Sequence, residues 1–256
     1  MTAPAEPTLL VSRPDPRVLL LTINRPDKRN ALTNAMLQSL TDELTAAADA
    51  GTGCVVITGS PPAFCSGGDL RDLLAGDDEN YREYCELYRS VARAIKRLPC
   101  PTIAAVNGAA VAGGFELMCL ADLRVAAHGA KIFMGDPDHG LPSTSGLSWL
   151  LPRLVGVGRA RWIAYLGRPM TGDEALAIGL VEQTHPTDDV VPEALAIAAA
   201  IASKPGLGIE LTRRLIDDSL DQTHEQTMEA ELEAQVVAWA HPAVRAAIND
   251  FLARRR

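Results

Sequence analysis

From Pro101 to Phe115 the chain reads PTIAAVNGAAVAGGF, without one charged side chain, and Glu116 follows at once. The run is shorter than the roughly 18–20 apolar residues a membrane span requires. It therefore has to be buried inside a folded domain. TIAAV has the composition of a buried strand, Asn107-Gly108 breaks it, and the small residues Ala109, Ala110, Ala112, Gly113 and Gly114 lead into a helix-like GGFELMCLADL. An acid in the first turn of a helix is a common dipole partner, contributing roughly 0.3–1 kcal/mol. The apolar flanks Phe115, Leu117 and Met118 predict instead that Glu116 is buried, and a buried unpaired carboxylate is costly and more often functional.

The same arrangement occurs upstream. CVVITGS is a short apolar strand, and AFCSGGDL, Ala63 to Leu70, follows it into the next helical stretch. VLLLTINRP predicts a strand stopped by Pro26. TNAMLQSLTDELTAAADA places Met36, Leu37, Leu40 and Leu44 at helical spacing, and DENYREYCELYRSVARAIKRLPCP reads as a charged amphipathic helix. LRVAAHGAKIFM predicts two extended segments about a turn at Gly129. Strand and helix thus alternate to about residue 135, which predicts an α/β fold with helices stacked on a sheet. Beyond residue 145 the sequence is mostly helical.

Composition excludes several functions. A formal charge of −8, with the basic residues scattered apart from short groups such as RPDKR and the terminal ARRR, argues against nucleic acid as the main partner. Five cysteines at 54, 65, 85, 100 and 119, an odd number with no C-x-x-C pair, fit a reduced cytoplasmic protein rather than a disulfide framework. The proline- and acid-containing N-terminus lacks the pattern of a secretory signal, and no run is long enough to span a membrane. No His/Cys cluster has metal-ligand spacing, so no metal is expected. GAAVAGGF has the glycine spacing of a P-loop without the Lys-Ser/Thr that reaches the phosphates, and GTGCVV and GVGRAR lack the third glycine of a dinucleotide fingerprint.

AFCSGGDL and NGAAVAGGFEL survive this elimination. Glycine at a strand-to-helix turn lets backbone N–H groups approach a ligand closely, and two such turns facing each other would supply two donors to one developing oxyanion. Close helix–strand packing is the competing explanation for the same small residues.

Four segments carry a resemblance: INRPDKRNAL, ITGSPPAFCSGGDL, PTIAAVNGAAVAGGFELMCLADLRVA and LPRLVGVGRARWIAYLGRPMTGDEALAIGLVEQT. In this order and spacing, across about residues 18 to 185, the chain resembles the crotonase family, the enoyl-CoA hydratase/isomerase superfamily. The resemblance implies a spiral of ββα units over residues 1–195, holding an acyl-CoA site. It implies a helical oligomerisation region over 196–256 that makes trimers, often paired into hexamers. It implies an acyl-CoA thioester as substrate, with coenzyme A as part of that substrate and no separate cofactor.

By motif position, the resemblance makes the N–H groups of Gly68 and Gly113 the oxyanion donors and Glu116 the first catalytic carboxylate. Lys28, Arg29 and Ala31, together with Ala63, Cys65, Ser66, Asp69, Leu70 and Gly114, are expected to line the coenzyme A path. Arg25, Lys28 and Arg29 are candidates for its phosphates, or ordinary surface basics. Counting from Gly140 and from LPRLVG puts Asp136 where hydratases of the family carry a second glutamate, one methylene longer. GDPDHG also reads simply as a Pro/Asp/Gly turn. Many members read Ile-Pro-Gly-Ala-Gly-Gly where this chain reads PSTSGL, Pro142 to Leu147, and Thr144 replaces the working aspartate of the dehalogenase and dienoyl isomerase branches. The expected activity is hydration of a 2-enoyl-CoA. A Δ3,Δ2-enoyl-CoA isomerase and a non-catalytic acyl-CoA binder are the alternatives.

Overall fold

A computed structural model of the chain describes residues 6–254. The start of the N-terminus and the last two arginines of ARRR, on which two of the sequence readings fall, lie outside the described residues. Strand β1 (Leu9–Asp15) and β2 (Val18–Ile23) form an antiparallel hairpin. Helix α1 (Asn34–Asp49) starts at Thr33, whose side chain accepts from the Met36 N–H, and buries Met36, Leu37, Leu40, Leu44 and Ala47 on one stripe.

Three coils follow with one plan. The first holds β3 (Cys54–Gly59), β4 (Ala63–Cys65), α2 (Leu70–Ala75) and α3 (Asp78–Arg97). The second holds β5 (Thr102–Val106), β6 (Ala109–Val111) and α4 (Gly113–Leu120). The third holds β7 (Leu123–Ala127) and β8 (Ile132–Phe133), then a 3-10 turn over Asp136–His139. The first strands of the coils pair in parallel, β3 with β5 and β5 with β7. The second strands pair separately, β4 with β6 and β6 with β8. This is the ββα spiral. Every residue of β3 and β5 is buried, which explains their unbroken apolar runs. Asn107 turns the chain between β5 and β6 by donating to the Gly59 carbonyl at 2.6 Å. At Gly108 a Cβ would lie 2.4 Å from the Pro62 carbonyl oxygen, so a side chain has no room.

Helices α5 (Leu147–Val155), α6 (Val157–Leu166) and α7 (Gly172–Ala177) lead to β9 (Gln183–His185), which pairs with β7 and completes the sheet order β1-β2-β3-β5-β7-β9. The sequence reading has no strand here: three half-exposed polar residues carry no periodicity. It also lacks β1, whose middle is exposed, and the short strands β4 and β6. Helix α8 (Val190–Ala202) runs unbroken through residue 195 and lays Val190, Ala194, Ala198 and Ala202 against β2, β3, β5 and β7. Helices α9 (Gly206–Ser219), α10 (His224–Ala240) and α11 (Pro242–Ala253) end the chain. Arg213 ties α9 to the core. It pairs with Asp122 at 2.8 Å and donates to the Ile95, Lys96 and Leu98 carbonyls at the end of α3. Among the described residues no single helix is long and apolar enough to cross a membrane.

Candidate active site

The three coils deliver their connections to the same end of the small sheet. Gly68 follows β4, Gly113 follows β6, and Gly135 and Asp136 follow β8. All four line one cavity of about 300 Å³, together with Ser66, Leu70 and Glu116.

The donor side is built from backbone contacts. Gly67 has φ +90, and a Cβ there would lie 2.9 Å from the Gly113 nitrogen and 3.0 Å from the Val111 oxygen. Only glycine satisfies both the dihedral and the space. The Leu32 N–H donates to the Gly67 carbonyl and the Asp69 N–H to the Leu32 carbonyl, at 2.8 and 3.1 Å. Leu32 thus bonds the two neighbours of Gly68, which leaves the Gly68 N–H facing away from that segment. Ala112 holds φ +49 with ψ −118, an uncommon conformation for a residue with a side chain. It opens α4 at Gly113, whose N–H has no acceptor within the helix. At Gly114 a Cβ would lie 2.0 Å from the Cys65 carbonyl oxygen, so α4 sits directly on β4.

Glu116 is 2% exposed. Its carboxylate accepts from the Ser145 N–H at 2.9 Å, from the Ser145 hydroxyl, and from the Thr144 N–H at 3.3 Å. Burial pushes its pKa above the usual carboxylate range, Asp136 across the cavity adds to the rise, and the donors of Ser145 and Thr144 oppose it. The Oδ2 atom of Asp136 is buried without a protein hydrogen-bond partner. Burial raises this carboxyl too, against its own backbone N–H and the nearby His139. The site therefore holds two desolvated carboxyl groups, a setting suited to proton transfer.

Helix α3 roofs the cavity with Tyr81, Tyr84 and Tyr88. The Tyr81 and Tyr84 rings stack with centroids 6.3 Å apart. A Cβ at Gly68 would meet the Tyr84 hydroxyl at 2.5 Å, and the Tyr88 hydroxyl donates to the Gly113 carbonyl. Sequence reasoning missed these tyrosines. Their spacing was visible, but it merges with Val91 and Ile95 into the ordinary buried stripe of an amphipathic helix. Asn30, within the segment Lys28 to Ala31 expected along the coenzyme A path, is instead fully buried in the left-handed region and donates to the Ser60 and Ala63 carbonyls at 2.8 and 2.6 Å.

The other expected site residues divide. Ser66, at the cavity, donates its N–H to the Arg29 carbonyl at 3.1 Å and its hydroxyl to the Lys28 carbonyl at 3.3 Å. This sets Lys28 and Arg29, both exposed, beside the rim. Ala31, Ala63, Cys65, Asp69 and Gly114 are not among the residues lining the cavity. Ala31 is buried and its carbonyl accepts from Arg25. Ala63 and Cys65 are buried in β4, and burial pushes the Cys65 thiol up to about 12, consistent with a packing role. Asp69 caps α2 and pairs with Arg25 at 3.1 Å. Arg25, a candidate for coenzyme A phosphates in the sequence, is thus engaged within the protein.

A larger groove of about 910 Å³ runs between α3, α5 and α9, with Thr144 lining both it and the smaller cavity. The chemistry is assigned to the smaller one, which alone of the two is lined by Glu116 and Asp136. Among the described residues no group of three or more His, Cys, Asp or Glu side chains has the arrangement to hold a metal ion.

A family model described as enoyl-CoA hydratase/isomerase matches residues 15–256. The crotonyl-CoA hydratase of Syntrophomonas wolfei is 35% identical over 215 residues, covering 82% of each chain. The 1,2-epoxyphenylacetyl-CoA isomerase of Escherichia coli is 30% identical over 251 residues, covering 96% of each. The crystal structure of an enoyl-CoA hydratase from Bacillus anthracis superposes with a TM-score of 0.94 at 30% identity, covering 97% of each chain. Similarity of this extent, laid over a ββα spiral whose coils converge on one carboxylate-lined cavity, makes the chain a member of the enoyl-CoA hydratase/isomerase family.

Proposed function

We propose that the protein is an enoyl-CoA hydratase acting on a 2-enoyl-CoA thioester. One observation supports the reading above others: two buried carboxyl groups, Glu116 and Asp136, line one cavity with the backbone of Gly68 and Gly113. In this mechanism the N–H groups of Gly68 and Gly113 bind the thioester oxygen. Such a donor is typically worth about 10²–10³ in rate. The polarised β carbon accepts hydroxide as Glu116 takes the other proton of water. Asp136, whose burial favours the neutral form, gives a proton to the α carbon as the enolate collapses. Transfer of a proton from Glu116 back to Asp136, directly or through solvent, restores the starting state. Coenzyme A enters as part of the substrate, its phosphates near Lys28 and Arg29, and no separate cofactor is required.

A Δ3,Δ2-enoyl-CoA isomerase is the second reading. The shorter reach of Asp136 favours it, since one carboxylate suffices to move a proton between α and γ carbons. So does the likeness to the structure of a monofunctional enoyl-CoA isomerase from M. smegmatis, 34% identical over 86% of this chain. A family member that binds acyl-CoA without turnover is the third, and calorimetric binding with no product from any enoyl-CoA would support it. Incubation with a panel of enoyl-CoAs in heavy-oxygen water separates the first two. The hydratase reading requires label in the 3-hydroxyacyl product and its loss in Glu116→Gln. Isomerised product without label would sink it.

The assembly we propose is a homotrimer or a dimer of trimers, formed through the C-terminal helices. Its support is the row of exposed apolar side chains on α9 and α10, including Ile216, Leu232, Val236 and Trp239. Five free cysteines fit the reducing cytoplasm as the compartment.

A further inference from the structure

We infer that Ser145 is a positioning residue for Glu116: its hydroxyl and N–H fix one carboxylate oxygen so that the other serves as the working base. The inference rests on the reading of Glu116 as the base and adds the group that prepares it. Oε2 of Glu116 accepts from the Ser145 hydroxyl, from the Ser145 N–H at 2.9 Å and from the Thr144 N–H at 3.3 Å. Oε1 accepts only a share of the Thr144 N–H, at 3.3 Å. The carboxylate is thus loaded unevenly, with one oxygen saturated and the other left free for water or substrate.

The hydroxyl matters because little else stabilises the anion. The titratable groups facing Glu116 are Asp136 from the 3-10 turn, Tyr81, Tyr84 and Tyr88 from α3, and Cys119 one turn along α4. Cys85 of α3 and Asp138 and His139 of the 3-10 turn line the same cavity, and His139 acts on Asp136. No arginine or lysine is among them. Burial pushes Glu116 toward its neutral form, and the loop 144–145 opposes this with dipoles alone. A serine hydroxyl rotates to donate to whatever anion is present.

The test is Ser145→Ala, with Ser145→Thr as the conservative variant that keeps a hydroxyl, each checked for an unchanged melting transition. Removing one charge-assisted hydrogen bond from a buried carboxylate raises its pKa by about one unit. The acid limb of the kcat profile should move up by about one pH unit in Ser145→Ala. At the pH of that limb kcat should fall about tenfold, with KM within about twofold, and Ser145→Thr should restore both. Titration of the glutamate carboxyl signals in protein labelled with ¹³C at that carbon gives the same shift without substrate, with Glu116→Gln identifying the resonance. If Glu116 titrates in Ser145→Ala where it does in the wild type, the inference is overturned, whatever the rate does. If the titration moves while Glu116→Gln keeps full activity, Ser145 still positions Glu116, and it is the assignment of Glu116 as the base that fails.

Discussion

Replacing Gly114 by alanine adds one methyl group where α4 crosses β4. The new Cβ would lie 2.0 Å from the carbonyl oxygen of Cys65 and 2.6 Å from its carbonyl carbon. Ordinary van der Waals contact begins near 3.4 Å, so helix and strand must separate by more than 1 Å. The obstacle is backbone paired into the β4–β6 ladder and cannot swing aside as a side chain would. Two effects compete. Gly→Ala inside an open helix gains about 1 kcal/mol from propensity. Forcing a methyl group into a filled core costs typically about 1–3 kcal/mol, and here the overlap is against main chain, so the cost prevails and the melting temperature falls. The catalytic effect should be larger. Gly113, whose N–H is read as an oxyanion donor, is the adjacent residue, and displacing such a group by about 1 Å costs on the order of 10²-fold in rate. The assay is disappearance of enoyl absorbance with a 2-enoyl-CoA that the wild type hydrates, run beside a thermal melt. Gly129→Ala is the matched control, because nothing lies within 4 Å of its Cβ. Wild-type rate and melting in Gly114→Ala would refute the reasoning.

Asp136→Asn should lower hydration sharply yet stabilise the fold at neutral pH. A carboxyl raised by burial binds its proton more tightly folded than unfolded, so stability drops as pH rises from the unfolded value near 4 through the raised one. The melting-temperature gain of Asp136→Asn should therefore be full above that window and vanish below it; a gain independent of pH would contradict the assignment. On the outer helices, Leu232→Glu should convert the proposed trimer to smaller species in light scattering coupled to size exclusion, and an unchanged mass would move the interface elsewhere.

The fold was legible wherever burial leaves a long signature. β3 and β5 are buried on both sides and read as unbroken apolar runs, and α1 announces itself by Thr33 and the spacing of Met36, Leu40 and Leu44. Strands of three residues, such as β4, β6 and β9, are too short to show a period and exist because a neighbour pairs with them. Gly68, Gly113, Glu116 and Asp136 were singled out through the family resemblance, and the fold brings all four to one cavity. The donors to Glu116 were not. They are partly backbone N–H groups, 28 and 29 residues away, and any residue supplies those. Arg25 shows the converse difficulty: its charge is obvious in the sequence, but its partner Asp69 stands 44 residues away and engages it within the protein.

The two halves of the cavity are made of different materials. On one half, Gly67 against Gly113 and Gly114 against Cys65 are main chain pressed on main chain, a machined joint with no adjustable part. The other half is held by the side chains of Asp136, Ser145 and His139 and by a glycine-pivoted turn at Gly140. Altering the reaction therefore does not require rebuilding the joint. On the proposed reading, exchange of a few side chains between residues 136 and 145 would re-equip the acid–base half while the proposed seat of the thioester oxygen stays as it is, so that fittings rather than frame would set the reaction.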